Sequence, residues 1–233
     1  MDKEKYFNFP IMLIREAFSD MHQVCDNIID YAVYRHAQKL EGSADKQIKD
    51  SAKYFGITLG NNSKTIRNGS RLLNSTPDKA VMTGLSKKAV FDFYENNKSD
   101  FEKGVLLANL AIKSILGNKS FCRITNEFLL CRMAGYGKKD EMTSLPPELE
   151  KYQKRYHIDK LKSELQSTYG LKIYARYTKG FFVSFSLSEE ELIRQVEMKR
   201  KRYFDKEAKG KVSKAVTKVL AELYPNEQKN EQK

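Results

Sequence analysis

Cysteine and histidine, which serve as metal ligands, nucleophiles and bases, are few in this chain and lie far apart. The three cysteines are Cys25, Cys122 and Cys131; none belongs to a CxxC pair, and the gap between the last two fits no zinc-finger spacing. The three histidines, His22, His36 and His157, are equally scattered. We therefore expect buried, reduced thiols, no metal site and no bound cofactor.

Sequence motifs of the common enzyme classes are also missing. The chain contains no GxSxG, Walker A, GxGxxG or HExxH pattern. A metal-dependent nuclease would require clustered carboxylates, and the paired acids Asp26/Asp30 and 189–191 are better explained as helix-surface and helix-capping charges. We therefore predict no catalytic residues, with a metal-dependent nuclease as the remaining enzymatic alternative.

The chain carries a strong positive charge, which favours an anionic partner. Lysine and arginine together number 42, against 30 aspartates and glutamates, and the net charge is +12. The excess is highest over residues 118–187, where 13 basic and 7 acidic side chains leave +6, compared with +3 in each flanking part. Basic side chains on an exposed face attract nucleic acid, because each phosphate contact releases condensed counterions.

Apolar residues that recur every three or four positions predict helices through most of the chain. One long helix is expected over 9–41. Another begins at the capping box Ser99-Asp100-Phe101-Glu102. A helix over 147–168 opens at Pro146-Pro147. The capping residue Ser188 starts the C-terminal helices, which we expect Gly210 to separate into two.

The period changes from helical to alternating after Gly170. Residues alternate between two faces over 172–177 and again over 181–187. The residues Thr178-Lys179-Gly180 between these runs suit a tight turn with glycine in the left-handed conformation. The sequence therefore predicts a mainly α-helical bundle that contains one β-hairpin over about 171–187.

Residues 99–187 thus give, in order, a helix, a short extended link, two helices and a hairpin with a basic tip. This order resembles the winged helix, a helix-turn-helix variant with a two-stranded wing, over about 90 of the 233 residues. The resemblance implies a winged-helix-like domain over 99–187, between an N-terminal helical domain (1–98) and C-terminal basic helices (188–233). It also implies double-stranded DNA as the partner, read by the helix 147–168 and the hairpin 171–187.

The residues that the resemblance assigns to DNA contact lie on the outward side of the helix and in the wing. They are Lys151, Lys154, Arg155, Lys162 and Gln166 on the helix, with Arg176 and Lys179 in the wing. Arg155, midway along the helix, is expected to reach a base edge, whereas Lys179 reaches a phosphate or the minor groove. Asp159 lies inside this stripe and would repel phosphate.

Two further basic segments leave alternatives open. Residues 45–73 fit either a second helix-turn-helix, with Lys64, Arg67 and Arg71 along its second helix, or two packed helices of an ordinary bundle. The basic run 199–202 fits either phosphate contact or a solvated helix face.

The sequence thus predicts a double-stranded DNA-binding protein of the transcription-regulator or replication-initiation type, located in the cytoplasm or on a bacterial nucleoid. No membrane association is expected, because the longest apolar stretch, Val105 to Ile112, is interrupted by Asn109 and is far too short for a span. Homo-oligomerisation is left open. The alternative is a helical interaction or assembly protein whose aromatic hairpin packs on a protein partner.

Overall fold

The computed structural model of the protein describes residues 4–175 and 180–223. Within them, one compact unit ends at Ser186 and a second begins at Leu187. The helices of the first unit are α1 (Met21–Ala37), α2 (Ala44–Phe55), α3 (Asn62–Asn74), α4 (Lys87–Glu95), α5 (Asp100–Leu116), α6 (Asn126–Met133), α7 (Pro147–Glu150) and α8 (Arg155–Tyr169). Its strands are β1 (Tyr6–Pro10), β2 (Met82–Ser86), β3 (Cys122–Ile124), β4 (Lys172–Tyr174) and β5 (Phe181–Ser184). The predicted mainly α fold with one hairpin is confirmed.

The described chain begins with a strand, so the helix predicted over 9–41 is wrong in its first part. Strand β1 pairs antiparallel with β2. Phe7 and Phe9 of β1 are fully buried, whereas Tyr6 and Asn8 are exposed, and this two-residue period is that of a strand. A 3₁₀ helix, Ile11–Ile14, follows β1, and the first α-helix is α1.

Helix α5 supplies the most continuously buried segment of the first unit. All of its residues 104–112 are buried, and the helix packs against β2, α6 and α8. Its predicted capping box is confirmed: Ser99 Oγ accepts a hydrogen bond from the Glu102 N–H at 3.3 Å, and the Glu102 carboxylate accepts one from the Ser99 N–H at 2.9 Å. The hydrophobic core around α5 includes residues from Phe7 to Val183.

The predicted boundary between an N-terminal helical domain and a winged-helix-like domain, at residues 98 and 99, stays a prediction.

A three-stranded antiparallel sheet follows α5 in the chain. Strands β4 and β5 form the predicted hairpin, with Tyr174 opposite Phe182. Strand β3 pairs with the other edge of β5 and places Arg123 opposite the same Phe182, so the strand order is β3-β5-β4. The sequence indicated an extended link at β3 but not its pairing, because the partner strand lies far along the chain.

The second unit is described as one helix, α9 (Glu189–Leu223). The prediction of two helices separated by Gly210 is therefore wrong. A glycine inside a helix costs only about 1 kcal/mol relative to alanine, which is too little to end a long helix. The predicted capping role of Ser188 is confirmed, since its hydroxyl accepts a hydrogen bond from the Glu191 N–H at 3.2 Å.

Gly104 and Tyr152 make a close contact between α5 and the segment that precedes α8. A Cβ atom at Gly104 would lie 2.4 Å from the Tyr152 hydroxyl oxygen. Tyr152 is 1% exposed, and its hydroxyl has no hydrogen-bond partner among the described residues. The ring therefore packs well while its polar atom is left unsatisfied.

We expect Tyr152→Phe to raise the free energy of unfolding by about 1 kcal/mol, because it removes a buried, unsatisfied hydroxyl and keeps the ring. Urea denaturation followed by circular dichroism measures the change. Gly104→Ala is the companion variant: it should destabilise the wild-type chain more than the Tyr152→Phe chain, where the added methyl no longer meets the hydroxyl. A loss of stability in Tyr152→Phe alone would contradict this account.

Candidate nucleic-acid interface

The helix predicted over 147–168 is divided in the structure, so its continuity is wrong. Helix α7 is followed by a 3₁₀ turn, Lys151–Gln153, and then by Lys154 in an extended conformation (φ −78°, ψ 135°). Helix α8 starts at Arg155. Lys151 and Lys154 therefore precede α8, and Arg155, expected midway along a helix, is its first residue.

The phase of the apolar residues explains this division. At about 100° per residue, one continuous helix would place Ile158 on the face opposite Leu149. The break at Lys154 allows both residues to be buried, at 1% exposure each. The same shift turns Tyr156, expected on the apolar face, towards solvent, and its exposed fraction is 72%.

The first turn of α8 combines exposed charge with helix N-terminal donors. Arg155 has 95% of its side chain exposed, and its Nε lies 3.4 Å from Asp159 Oδ2. A surface pair of this kind contributes less than about 1 kcal/mol, so the guanidinium can exchange it for a phosphate. Lys154 is exposed and makes no side-chain cap in the described structure. With Tyr156 beside them, these groups suit phosphate and base-edge contact.

The other predicted residues of this segment differ in accessibility. Lys162 has 16% of its side chain exposed; its Nζ lies 4.1 Å from the centre of the Phe181 ring and 3.8 Å from the Asp159 carboxylate. Burial lowers the pKa of Lys162, although Asp159 raises it. Lys151 is half-buried and Gln166 is exposed on α8. Lys162 thus contacts β5, and the predicted stripe is not one exposed face.

The basic tip of the hairpin belongs to the segment 176–179, so Arg176 and Lys179 lie outside the described residues.

Sequence reasoning missed Arg123, which is exposed on β3 and lies in one row with Phe182 and Tyr174 across the sheet. Three residues are too few for alternation to mark a strand face, so the sequence offered only a basic residue in an extended link.

The acids that a nuclease would require are engaged in the fold. Asp30 is 7% exposed and accepts hydrogen bonds from the Thr65 hydroxyl and the Asn68 amide, both at 2.8 Å. Glu191 accepts two hydrogen bonds from Arg194, each at 2.8 Å. Among the described residues, no three His, Cys, Asp or Glu side chains group so that they could hold a metal ion.

The three cysteines are free thiols, as predicted; Cys25 and Cys131 are buried, whereas Cys122, also predicted to be buried, is half-buried. Burial raises the pKa of Cys25 to about 12, with a smaller contribution from Asp26. Burial also raises the pKa of Cys122 to about 11, which Lys119 partly offsets, and that of Cys131. Each thiol is therefore almost entirely protonated near neutral pH and is a poor nucleophile.

We expect slow alkylation of the native protein by iodoacetamide at about pH 8, because only roughly one Cys25 thiol in 10,000 is ionised there. Raising the pH by about one unit should increase this rate about tenfold without a plateau, since the pH stays below the raised pKa. Mass spectrometry follows the modification. The denatured protein is the control and should take up three alkyl groups without reductant. Rapid modification of native Cys25 would contradict the prediction.

Comparisons with protein-family models, curated proteins and solved structures found no significant match for this chain. In the ranges 4–175 and 180–223, no helix is both long enough and apolar enough to cross a membrane.

Proposed function

We propose that the chain is a double-stranded DNA-binding protein of the transcription-regulator or replication-initiation type, acting in the cytoplasm or on a bacterial nucleoid. The observation that carries this proposal is the first turn of α8, where the almost fully exposed Arg155 follows the exposed Lys154. The forked guanidinium of an arginine can bind a guanine edge with two hydrogen bonds, and the lysine can neutralise a phosphate.

The surrounding architecture supports this assignment. Helices α5, α6 and α8 together with the sheet β3-β5-β4 occur in the order that resembles a winged helix. In helix-turn-helix proteins, the N-terminal residues of the recognition helix contact the base edges. Arg155, at the first position of α8, fits that role better than a residue midway along the helix would.

Neutralising this turn tests the proposal. We expect wild-type protein to bind a labelled random-sequence duplex at low salt in fluorescence anisotropy, and Lys154→Gln/Arg155→Gln to bind at least about tenfold more weakly. The control Lys49→Gln/Lys53→Gln removes the same charge from exposed positions on α2 and should change the affinity less than about twofold. Equal losses in both variants would contradict a reader at α8, and absence of wild-type binding would contradict DNA binding altogether.

One observation favours the alternative, an interaction or assembly protein. Val212, Val216 and Val219 of α9 are 63%, 51% and 52% exposed, and their spacing places them on one side of the helix. The hairpin gives this alternative less support, since Tyr174 and Phe182 are half-buried. Light scattering after gel filtration distinguishes the two: a mass above the monomer that Val216→Lys abolishes would favour assembly through this stripe, whereas a monomer in both samples would contradict it.

A further inference from the structure

Helix α3 presents a second basic face that the proposed reader does not use. Lys64, Arg67 and Arg71 are exposed and follow one another at spacings of three and four residues, which places them on one side of the helix. The sequence of α3 contains no acidic residue. Helix α8, by comparison, mixes its cations with Asp159 and Glu164. Helix α3 itself thus carries no negative charge, and Asp26 of α1 is an acid beside its basic face, with its Oδ2 3.5 Å from Lys64 Nζ.

The opposite side of α3 is held firmly against α1. A Cβ atom at Gly69 would lie 2.4 Å from Tyr34 Cβ and 2.7 Å from the Asp30 carbonyl oxygen, so the two helix backbones are in direct contact there. Thr65 and Asn68 donate hydrogen bonds to the buried Asp30 carboxylate at 2.8 Å. The negative charge of Asp30 therefore lies on the inner side, and α3 is oriented before any ligand binds, which reduces the entropic cost of binding.

The basic surface extends beyond α3 through Arg15. A cleft of about 580 Å³ beside α3 is lined by Arg15, Arg67 and Arg71, with Glu16 as its acidic residue. Arg15 also lines a neighbouring cleft of about 730 Å³. The further basic residues of that second cleft are Lys79, Arg132 and Lys138. The two clefts therefore share a cation and adjoin each other.

The second cleft contains the Arg132 guanidinium, which lies 5.0 Å from the centre of the Phe128 ring; burial lowers its pKa, and Cys131 and Glu141 partly offset this. Arg132 is 8% exposed, and its Nε and Nη1 atoms are buried without a hydrogen-bond partner among the described residues. The acid in this cleft, Glu141, accepts hydrogen bonds from the backbone N–H groups of Gly137 and Lys138 at 3.1 and 3.3 Å. Two buried guanidinium donors without hydrogen-bond partners are costly, so an anion that enters this cleft beside Arg132 is favoured.

We infer that α3 and the two clefts that meet at Arg15 form a second binding surface for duplex DNA, which contacts the phosphate backbone. The inference rests on the proposed DNA-binding function and adds a separate surface to it. The lining of the two clefts includes no aromatic side chain among the described residues, and the nearby Tyr136 ring already stacks against Arg15, whose guanidinium carbon lies 4.5 Å from the ring centre. Single strands and free nucleotides, by contrast, are held largely by stacking of their bases. Cations spaced along a helix instead match a row of phosphates.

Neutralising α3 tests this surface separately from α8. We expect Arg67→Gln/Arg71→Gln to weaken binding of a random-sequence duplex at least about tenfold and to lower the slope of log affinity against log salt by about 1.8, or 0.9 for each lost phosphate contact. Arg15→Gln should lower the slope by about 0.9. The variant Lys49→Gln/Lys53→Gln on α2 is again the matched control. Thermal melts should be nearly unchanged, since both arginines of α3 are exposed.

Each outcome has a separate meaning. Wild-type-like binding by Arg67→Gln/Arg71→Gln, with a loss in Lys154→Gln/Arg155→Gln, overturns the surface on α3 and leaves the proposed function intact. A loss in the α3 variant alone supports the inference and removes α8 from the interface. Absence of duplex binding by the wild-type protein overturns the proposed function and the inference with it.

Lysine footprinting gives a second, positional measurement on the unaltered protein. The Nζ atom of Lys64 is on the proposed surface, whereas Lys49 lies on α2, and their side chains are 62% and 66% exposed. We expect bound duplex to slow acetylation of Lys64 several-fold and to leave Lys49 unchanged. Equal reactivity of Lys64 in the free and bound protein would overturn the inference.

Discussion

Gly69→Ala is expected to lower the free energy of unfolding by about 2–3 kcal/mol and Tm by about 5–10 °C. The new methyl group would lie 2.4 Å from Tyr34 Cβ and 2.7 Å from the Asp30 carbonyl oxygen. Neither atom is the end of a flexible side chain, so α1 and α3 must move apart. That movement also strains the hydrogen bonds from Thr65 and Asn68 to Asp30. The better helix propensity of alanine, about 1 kcal/mol, offsets only part of the cost.

Gly210→Ala provides a matched control for the Gly69 prediction. It makes the same chemical change within a helix, but no described atom lies within 4 Å of the added Cβ. We therefore expect helicity to rise slightly and Tm not to fall. Circular dichroism melts of both variants measure the contrast. Wild-type stability of Gly69→Ala would show that the two helix backbones are not in contact at this residue.

The features that the sequence predicted correctly are those encoded by neighbouring residues. The capping box of Ser99 and Glu102 requires residues three positions apart, and both of its hydrogen bonds are present. The hairpin likewise depends on alternation within short runs and on nearby turn residues. Such signals need no knowledge of the rest of the fold, which is why they could be found in one sequence.

The features that the sequence did not predict depend on distant partners. Strand β1 exists because it pairs with β2, more than 70 residues further along the chain. The break before α8 exists because Leu149 and Ile158 must both reach the core. The spacing of apolar residues along the chain indicates neither the pairing of β1 nor the break before α8, so it predicts a helix at both places.

At the candidate site, too, the sequence predicted what depends on a residue's own type and missed what depends on distant partners. The exposure of Arg155 follows from its polarity, and the structure agrees with that expectation. Lys162 has the same polarity but lies over the Phe181 ring, because a lysine stem packs on apolar surface wherever the fold provides one. The sequence alone shows that α3 contains no acidic residue. It does not show that Asp30 and Gly69 hold α3 in place, because this depends on how α1 packs against α3.

The affinity for random-sequence duplex DNA is expected to fall about 1,800-fold between about 50 and 200 mM salt. On a random-sequence duplex, six exposed cations are the proposed phosphate contacts: Lys154 and Arg155 at α8, and Arg15, Lys64, Arg67 and Arg71 on the α3 surface. Each contact contributes about −0.9 to the slope of log affinity against log salt, so the wild-type slope should be about −5.4.

Anisotropy titrations at four or more salt concentrations measure this slope, and the two faces should contribute to it additively. Lys154→Gln/Arg155→Gln and Arg67→Gln/Arg71→Gln should each bring the slope to about −3.6, and the combination of all four substitutions to about −1.8. The α2 variant Lys49→Gln/Lys53→Gln should keep the wild-type slope. If the α2 variant lowers the slope as much as the α8 and α3 variants do, the affinity depends only on the total charge of the protein. That result would contradict both α8 and α3 as binding faces.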